Sequence, residues 1–218
     1  MYVGRIVGVG RTREGSLTAA YRVSSRSFPD RSAERTGNSI RIVPRAGSAD
    51  AASDSPYIAY ECLVWNERFG VVSNGTHTRP IFERLKAANT VRDAMVSVLA
   101  GLDREFDQHD TPRICGVIDL VEDRMWLGSI TATGLTVMPI HVADGQMAYV
   151  TTYEFPMPSR EQVDTLFDAE NAQKSCEYII TRSVFAAFDK PICATSLVAS
   201  GTTIDVATLD ARNATPGS

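Results

Sequence analysis

The chain has 218 residues, 44% of them hydrophobic and 22% charged, with a formal net charge of −4. That length buries a substantial core in one large or two small domains, and the composition is that of an ordinary globular protein. The acidic excess argues against broad nucleic-acid binding, which takes a basic surface.

Tyr2–Val9 alternates apolar and small residues up to Gly10 and predicts a strand. A turn at Arg13-Glu14-Gly15 leads to a second strand, Leu17–Ser24, so the two predict a hairpin. An arginine- and serine-rich stretch then leaves that strand as a loop. Ser39–Pro44 predicts a short strand, and Arg45–Pro56 a polar connection. Tyr57–Trp65 and Phe69–Ser73 predict a hairpin across Asn66-Glu67-Arg68. From Ile81 to Leu102 the spacing Ile81, Leu85, Ala88, Val91, Met95, Val98, Leu102 is helical. Strands return at Ile114–Leu120, Met125–Ile130, Leu135–Ile140 and Gln146–Phe155.

Pro156-Met-Pro158-Ser159 reads as a stop and restart, with Ser159 as N-cap of a helix carrying Val163, Leu166 and Phe167. Tyr178, Ile179, Val184, Phe185 and Phe188 suit a second helix, Pro191–Ala199 a last strand, and the chain from Ala207 onward a frayed tail. Groups of strands alternating with groups of helices predict an α+β protein of antiparallel sheets covered by helices. Residues 1–206 are expected to form one domain and 207–218 a flexible tail.

The four cysteines, Cys62, Cys115, Cys176 and Cys193, are widely spaced without a Cys-x-x-Cys pair, which favours reduced thiols. His77, His109 and His141 are equally scattered, so no metal-ligand spacing is present and no metal is expected. No apolar run reaches membrane-spanning length, and a cytoplasmic protein with no membrane partner is expected.

Four segments are richer in polar function than their positions require. Arg22, Arg26 and Arg31 share ten residues with Ser24, Ser25 and Ser27, and forked guanidinium donors beside hydroxyls are suited to gripping a phosphate. Phe28-Pro29 stiffens that loop; the bland alternative is a solvated charged turn. Ser73-Asn-Gly-Thr-His-Thr78 joins a strand to a helix and offers backbone N–H groups near Gly75 and Thr76 to an oxygen or anion. Asn74 can donate and accept there, and His77 can exchange protons near neutral pH; the alternative is a turn with a threonine N-cap.

Asp103-Arg-Glu-Phe-Asp-Gln-His-Asp110 places carboxylates at a helix C-terminus, unfavourable for the dipole, so Glu105 is a candidate for proton transfer rather than a plain hydrophilic turn. In Tyr57-Ile-Ala-Tyr60 the spacing sends the two rings to opposite faces, and Tyr57 is preferred for stacking on a flat heterocycle. No Ser-His-Asp signature, Walker loop, dinucleotide fingerprint or zinc box is present.

Tyr2-Val-Gly-Arg5, Tyr21-Arg-Val-Ser-Ser-Arg-Ser-Phe-Pro-Asp-Arg31, Tyr57-Ile-Ala-Tyr60, Ser73–Thr78 and Thr111-Pro-Arg113, in that order, resemble the archaeal-type inosine monophosphate (IMP) cyclohydrolase family. The likeness runs to about Phe188 and is weakest after Leu120. It implies ring closure of 5-formamido-imidazole-4-carboxamide ribonucleotide to IMP with loss of water, the last step of de novo IMP synthesis. It also implies a four-layer αββα sandwich like that of the N-terminal-nucleophile hydrolases, without the processed nucleophile; Met1-Tyr2 supplies no Ser, Thr or Cys. A homo-oligomer binding a purine ribonucleotide substrate and product, with no coenzyme, is the corresponding expectation.

On that resemblance Arg22, Ser24, Ser25, Arg26 and Arg31 are expected around the 5′-phosphate, with Arg5 and Arg113 completing the anion pocket. Asn74, Gly75 and Thr76 would orient the carboxamide or formyl oxygen, Glu105 or His77 would move the proton, and Tyr57 would wall the base. The rivals are a non-catalytic purine-nucleotide sensor, which has no need of Glu105, and an amidohydrolase on the same fold using Cys62 or a serine.

Overall fold

The computed structural model describes residues 1–48 and 59–214. Tyr57 and the end of the polar connection at Pro56 lie outside the described residues. The hairpin at the amino end forms as expected: β1 (Arg5–Arg11) pairs with β2 (Leu17–Ser24), Arg5 facing Val23 across the ladder. β3 (Arg31–Thr36) was not foreseen, because Arg-Ser-Ala-Glu-Arg-Thr has no apolar alternation; it is a polar edge strand, which protects a sheet from further pairing. β4 (Ser39–Pro44), β5 (Tyr60–Trp65) and β6 (Phe69–Ser73) follow.

The helical spacing expected over Ile81–Leu102 divides in two. α1 (Thr78–Leu85) ends before Asn89, and α2 (Val91–Leu102) restarts on Thr90, whose hydroxyl accepts from the Asp93 amide at 3.0 Å. β7 (Arg113–Asp119), β8 (Arg124–Thr131) and β9 (Gly134–Ile140) match the expected strands closely, whereas β10 (Gln146–Thr151) ends four residues before the expected Phe155, where Thr151 and Phe155 close a turn.

The helix expected after Ser159 does not form. Ser159 and Asp164 spend their side chains on the Glu161 and Leu166 amides as local turns, and Val163 adds to the edge of β10 as β11 (Val163–Asp164). The second helix is present as α3 (Ala172–Thr181) and the single turn α4 (Ser183–Ala186). β12 (Pro191–Ser200) is followed by β13 (Thr203–Asp210), which pairs along it from Ser200–Thr203 to Cys193–Asp210. The frayed tail expected from Ala207 is therefore corrected: residues 207–210 are paired strand.

The protein is a mixed α+β sandwich of two antiparallel sheets. One sheet has the order β11-β10-β1-β2-β12-β13, the other β3-β4-β5-β6-β7-β8-β9. Alternation along β2 shows how the layers arise. Leu17, Ala19, Tyr21 and Val23 enter the core between the sheets, where Ile40, Leu63, Ile118 and Leu197 meet them. Ala20 faces the other way, onto a second core with Phe167, Ile179 and Phe185 from the α3–α4 side. A third core holds α1 and α2 against the second sheet through Ile81, Phe82, Met95 and Leu99. Among the described residues, no helix is long and apolar enough to cross a membrane.

Arg22 shares the outward parity of Ala20 and is fully buried. Its Nη1 donates to the carbonyls of Ile179 at 2.9 Å and Phe185 at 2.8 Å, its Nη2 to Phe188 at 2.5 Å, and its Nε to the Ser24 hydroxyl at 3.1 Å. The Ile179 carbonyl lies in the last turn of α3 and those of Phe185 and Phe188 at and just past the end of α4, where Phe185 also accepts from the Phe188 amide, and a cation there suits the helix dipole. Burial pushes the guanidinium down to about 10, so it remains charged at neutral pH. Arg22 and Ser24 are thus corrected from phosphate ligands to a structural clasp: strand parity turns them from the loop that follows.

Arg22→Ala would remove the Arg22 donors from the buried Ile179 and Phe188 carbonyls and is expected to cost about 3–5 kcal/mol. Arg26→Ala, at an exposed side chain, should change stability by less than about 0.5 kcal/mol. Urea unfolding of both variants checks this, and an Arg22→Ala chain of unchanged midpoint would restore Arg22 as a ligand candidate.

Candidate active site

The amino ends of β1 and the loop following β2 lie beside the connection from α2 to β7, and a cavity of about 870 Å³ opens between them. Tyr2 and Arg5 line it from the first segment, Ser25, Arg26, Ser27 and Phe28 from the loop, and Glu105 and Asp107 from the connection. Residues far apart in sequence, the arginine–serine loop and Glu105, therefore face one space.

The loop is shaped by hydrogen bonds onto Phe28. Ser25 Oγ accepts from the Phe28 amide at 3.0 Å, and Arg31 Nε donates to the Phe28 carbonyl at 3.2 Å. Ser25 keeps its own hydroxyl proton for a ligand. Arg26 is exposed and lies over the Tyr2 ring at 4.3 Å, a stacking contact that orients its fork of donors. Arg31 is buried at the foot of the loop and does not line the cavity, so it is corrected from a phosphate contact to a loop brace.

Arg5 reaches inward to the phenol of Tyr60. The Tyr60 and Tyr21 hydroxyls are 2.6 Å apart, both on buried residues. Burial, with Tyr60 adding to it, raises the Tyr21 pKa well above the ordinary phenol value, so Tyr21 is neutral at pH 7. Tyr60, set aside in the sequence reading for Tyr57, meets the site through Arg5, while Tyr57 lies outside the described residues. The signal available was its parity with Cys62, which also faces the inter-sheet core.

The connection that carries Glu105 is tightly folded. The Glu105 amide donates to the Thr111 carbonyl at 2.9 Å, while the Asp107 carboxylate accepts from the Thr111 hydroxyl at 2.7 Å and from the Thr111 and His109 amides at 3.0 Å. Burial would raise the Asp107 pKa, but these donors outweigh it and hold it below the ordinary value, which leaves Asp107 an ionised staple. Glu105 goes the other way. Burial raises its pKa, opposed by the charges of Arg113 and Arg5. Arg113 Nη1 lies 3.3 Å from Glu105 Oε1 and 3.4 Å from the Thr76 hydroxyl, while its Nε is anchored on the Asp103 carbonyl at 2.7 Å. Glu105 and Arg113 are only 11% and 12% exposed, so water screens the pair little.

The Ser73–Thr78 turn does not line the cavity but lies behind Glu105 through Gly75, which packs on its carboxylate. Asn74 Oδ1 accepts from the Ile114 amide at 2.8 Å and its Nδ2 donates to the Pro112 carbonyl at 2.9 Å, so Asn74 fastens the start of β7 and is corrected from an orienting group for substrate. His77 is also corrected. It is fully buried, and its Nε2 donates to the Ile114 carbonyl at 3.0 Å, which fixes the neutral tautomer with Nδ1 bare. Burial, helped by the Arg113 charge, pushes its pKa down to about 3, so it carries no exchangeable charge near neutral pH. Cys62, the nucleophile of the amidohydrolase reading, is fully buried and donates to the Ile40 carbonyl at 3.5 Å; burial raises its pKa well above the ordinary thiol value, leaving it inert.

A family model described as IMP cyclohydrolase-like protein matches residues 2–203. An IMP cyclohydrolase of Methanocella arvoryzae is 40% identical over 195 residues, covering 89% of this chain and 90% of its own length. One from Methanocaldococcus jannaschii is 36% identical over 200 residues, covering 91% and 94%. One from Methanosphaera stadtmanae is 35% identical over 192 residues, covering 88% and 91%.

His77 gives a pH test. The unfolded imidazole takes up a proton below about 6.5, whereas the folded one does so only near 3, so the stability it supports is present above pH 6.5 and is lost as pH falls. Over that window His77 should contribute a slope of about 1.4 kcal/mol per pH unit. Urea unfolding of His77→Gln between pH 7 and 4 is expected to show the shallower slope, and equal slopes would place a charged imidazole in the folded protein.

Proposed function

The chain belongs to the IMP cyclohydrolase-like protein family, and we propose from its cavity how it carries out that chemistry. It is an enzyme of the IMP cyclohydrolase type, closing 5-formamido-imidazole-4-carboxamide ribonucleotide to IMP in purine biosynthesis. The carboxamide nitrogen bonds to the formyl carbon, giving up one proton while the formyl oxygen gains one. The carbinolamine then sheds that oxygen as water, and the formamide N–H proton leaves as the C=N bond forms.

The observation that carries the reading is that Ser25 and Arg26 share one cavity with Arg5 and Glu105. Arg26 and Ser25, with Ser27 beside them, hold the 5′-phosphate at the mouth. The base then lies toward Arg5 and Glu105. Both reacting groups belong to one molecule, so holding nitrogen and carbon at about 3–3.5 Å supplies much of the acceleration. Glu105 takes the proton from the carboxamide nitrogen and returns one to the departing oxygen. A pKa raised by burial suits both halves of that task. Arg5, backed by Tyr60, faces the formyl oxygen as negative charge grows on it. Arg113 acts through Glu105, by holding its carboxylate.

Finer points belong to the same proposal. Two facing antiparallel sheets with helices outside support a likeness to the N-terminal-nucleophile hydrolases. Four free, buried thiols support a reducing, cytoplasmic setting. Homo-oligomeric assembly and independence of any coenzyme rest on the family likeness.

Ring closure is followed by the appearance of purine absorbance from the formamido ribonucleotide. Glu105→Gln is expected to lower kcat by about 10²–10⁴-fold with KM little changed. Arg26→Ala should instead raise KM by about 10–100-fold, the worth of a charged hydrogen bond. A Glu105→Gln enzyme of wild-type kcat would remove Glu105 from the chemistry.

A further inference from the structure

Three functional groups converge on the Cα of Gly75. A methyl group placed there would lie 3.0 Å from Glu105 Oε1, 3.5 Å from Arg113 Nη1 and 3.6 Å from His77 Nδ1. Gly75 is itself buried, and its φ is outside the left-handed region, so its backbone is open to alanine. The turn therefore does not demand glycine for its shape. What glycine supplies at this point is room.

Of the three neighbours, two are fixed. Arg113 is tied through Nε to the Asp103 carbonyl, and His77 through Nε2 to the Ile114 carbonyl. Glu105 alone has open space beside it, since its other side lines the cavity. A group at position 75 would be relieved by movement of the Glu105 carboxylate, by a few tenths of an ångström, outward toward substrate and solvent.

We propose that Gly75 is a positioning residue for ring closure: its bare Cα is the seat on which the Glu105 carboxylate packs, held there against Arg113 and out of the solvent. The role rests on Glu105 being the proton-transfer group. It differs from the expectation that Gly75 and Thr76 hold substrate through backbone N–H groups, because the partner of Gly75 is now an enzyme side chain. The charged and titratable groups around Glu105 are Arg113 from β7, Arg5 from β1, Asp107 on its own loop and the neutral His77 at the start of α1, with Arg26, His109 and Glu154 lining the same cavity. Because His109 shares the cavity, the profile is measured in a His109→Gln background as well, and a shift that persists there reports Glu105.

Gly75→Ala is expected to fold with a melting temperature within a few degrees of wild type, and to lower kcat about tenfold or more, since a small misplacement of a reacting group is costly. Its kcat–pH profile should move its acid limb to lower pH, because a carboxylate displaced from burial ionises more easily. The decisive comparison places the same change on Glu105→Asp, which is one methylene shorter and vacates the contact. There Gly75→Ala should cost less than about twofold, a non-additive result expected only of residues in contact. Equal losses in both backgrounds, or a wild-type kcat and pH profile in Gly75→Ala, would overturn the role of Gly75. An active Glu105→Gln enzyme would instead overturn the proton-transfer assignment, and the seat with it.

Discussion

The buried guanidinium of Arg22 is the interaction on which the arrangement depends. It lies under the α3–α4 layer, where two helical segments end with carbonyls turned inward, and it supplies several of them with donors at once. A fully buried cation is tolerated only when such acceptors surround it. Because the Ser25 amide also donates to the Lys190 carbonyl, the end of β2 is pinned on both sides of the Arg22 clasp. The phosphate-facing loop thus springs from a fixed point. A flexible anchor would spread the donors of Ser25 and Arg26 over many orientations, and the ordering would then have to come from ligand binding.

The opposite wall is built on different terms. Glu105 stands on a short irregular connection, and such segments are rigid only when their polar groups are satisfied. Asp107 does this for the loop, accepting from Thr111 and His109, while Asn74 fastens the neighbouring chain at Pro112 and Ile114. Asn74, expected from the sequence to orient substrate, and Asp107 are, in the fold, what keeps the catalytic candidate still. The low exposure of Glu105 and Arg113 follows from this bracing and sets the electrostatics of the site. Burial and a nearby guanidinium pull the carboxyl in opposite directions, and burial prevails.

How far the sequence could be read depended on whether a residue's role is local. The β2 span Leu17–Ser24 and the β4 span Ser39–Pro44 were legible because alternation and turn residues are local properties. β3 and β13 were not, since a polar edge strand and a chain end carry little apolar signal. The helix expected after Ser159 failed because a capping residue serves equally in a tight turn, and the free edge of β10 decided between them. At the site, the chain itself offered the Arg22–Arg31 cluster and Glu105. It could not sort the three arginines, because the sorting follows from where β2 ends and β3 begins: Arg22, on the outward face of β2, goes under the helices, Arg26 in the loop to the cavity, and Arg31 at the start of β3 to the foot of the loop.

By itself the sequence determined the α+β class, most of the strand positions and the family resemblance, since these follow from periodicity, composition and a long ordered match of residues. Tertiary structure alone decided which polar groups meet. It brought Arg5 onto Tyr60, buried His77 until it could no longer take up a second proton, and laid Glu105 on Gly75 from thirty positions along the chain. The physical reason is that protonation and hydrogen-bonding capacity are set by desolvation and by neighbours across the fold, and neither quantity is written in the spacing of residues along one strand.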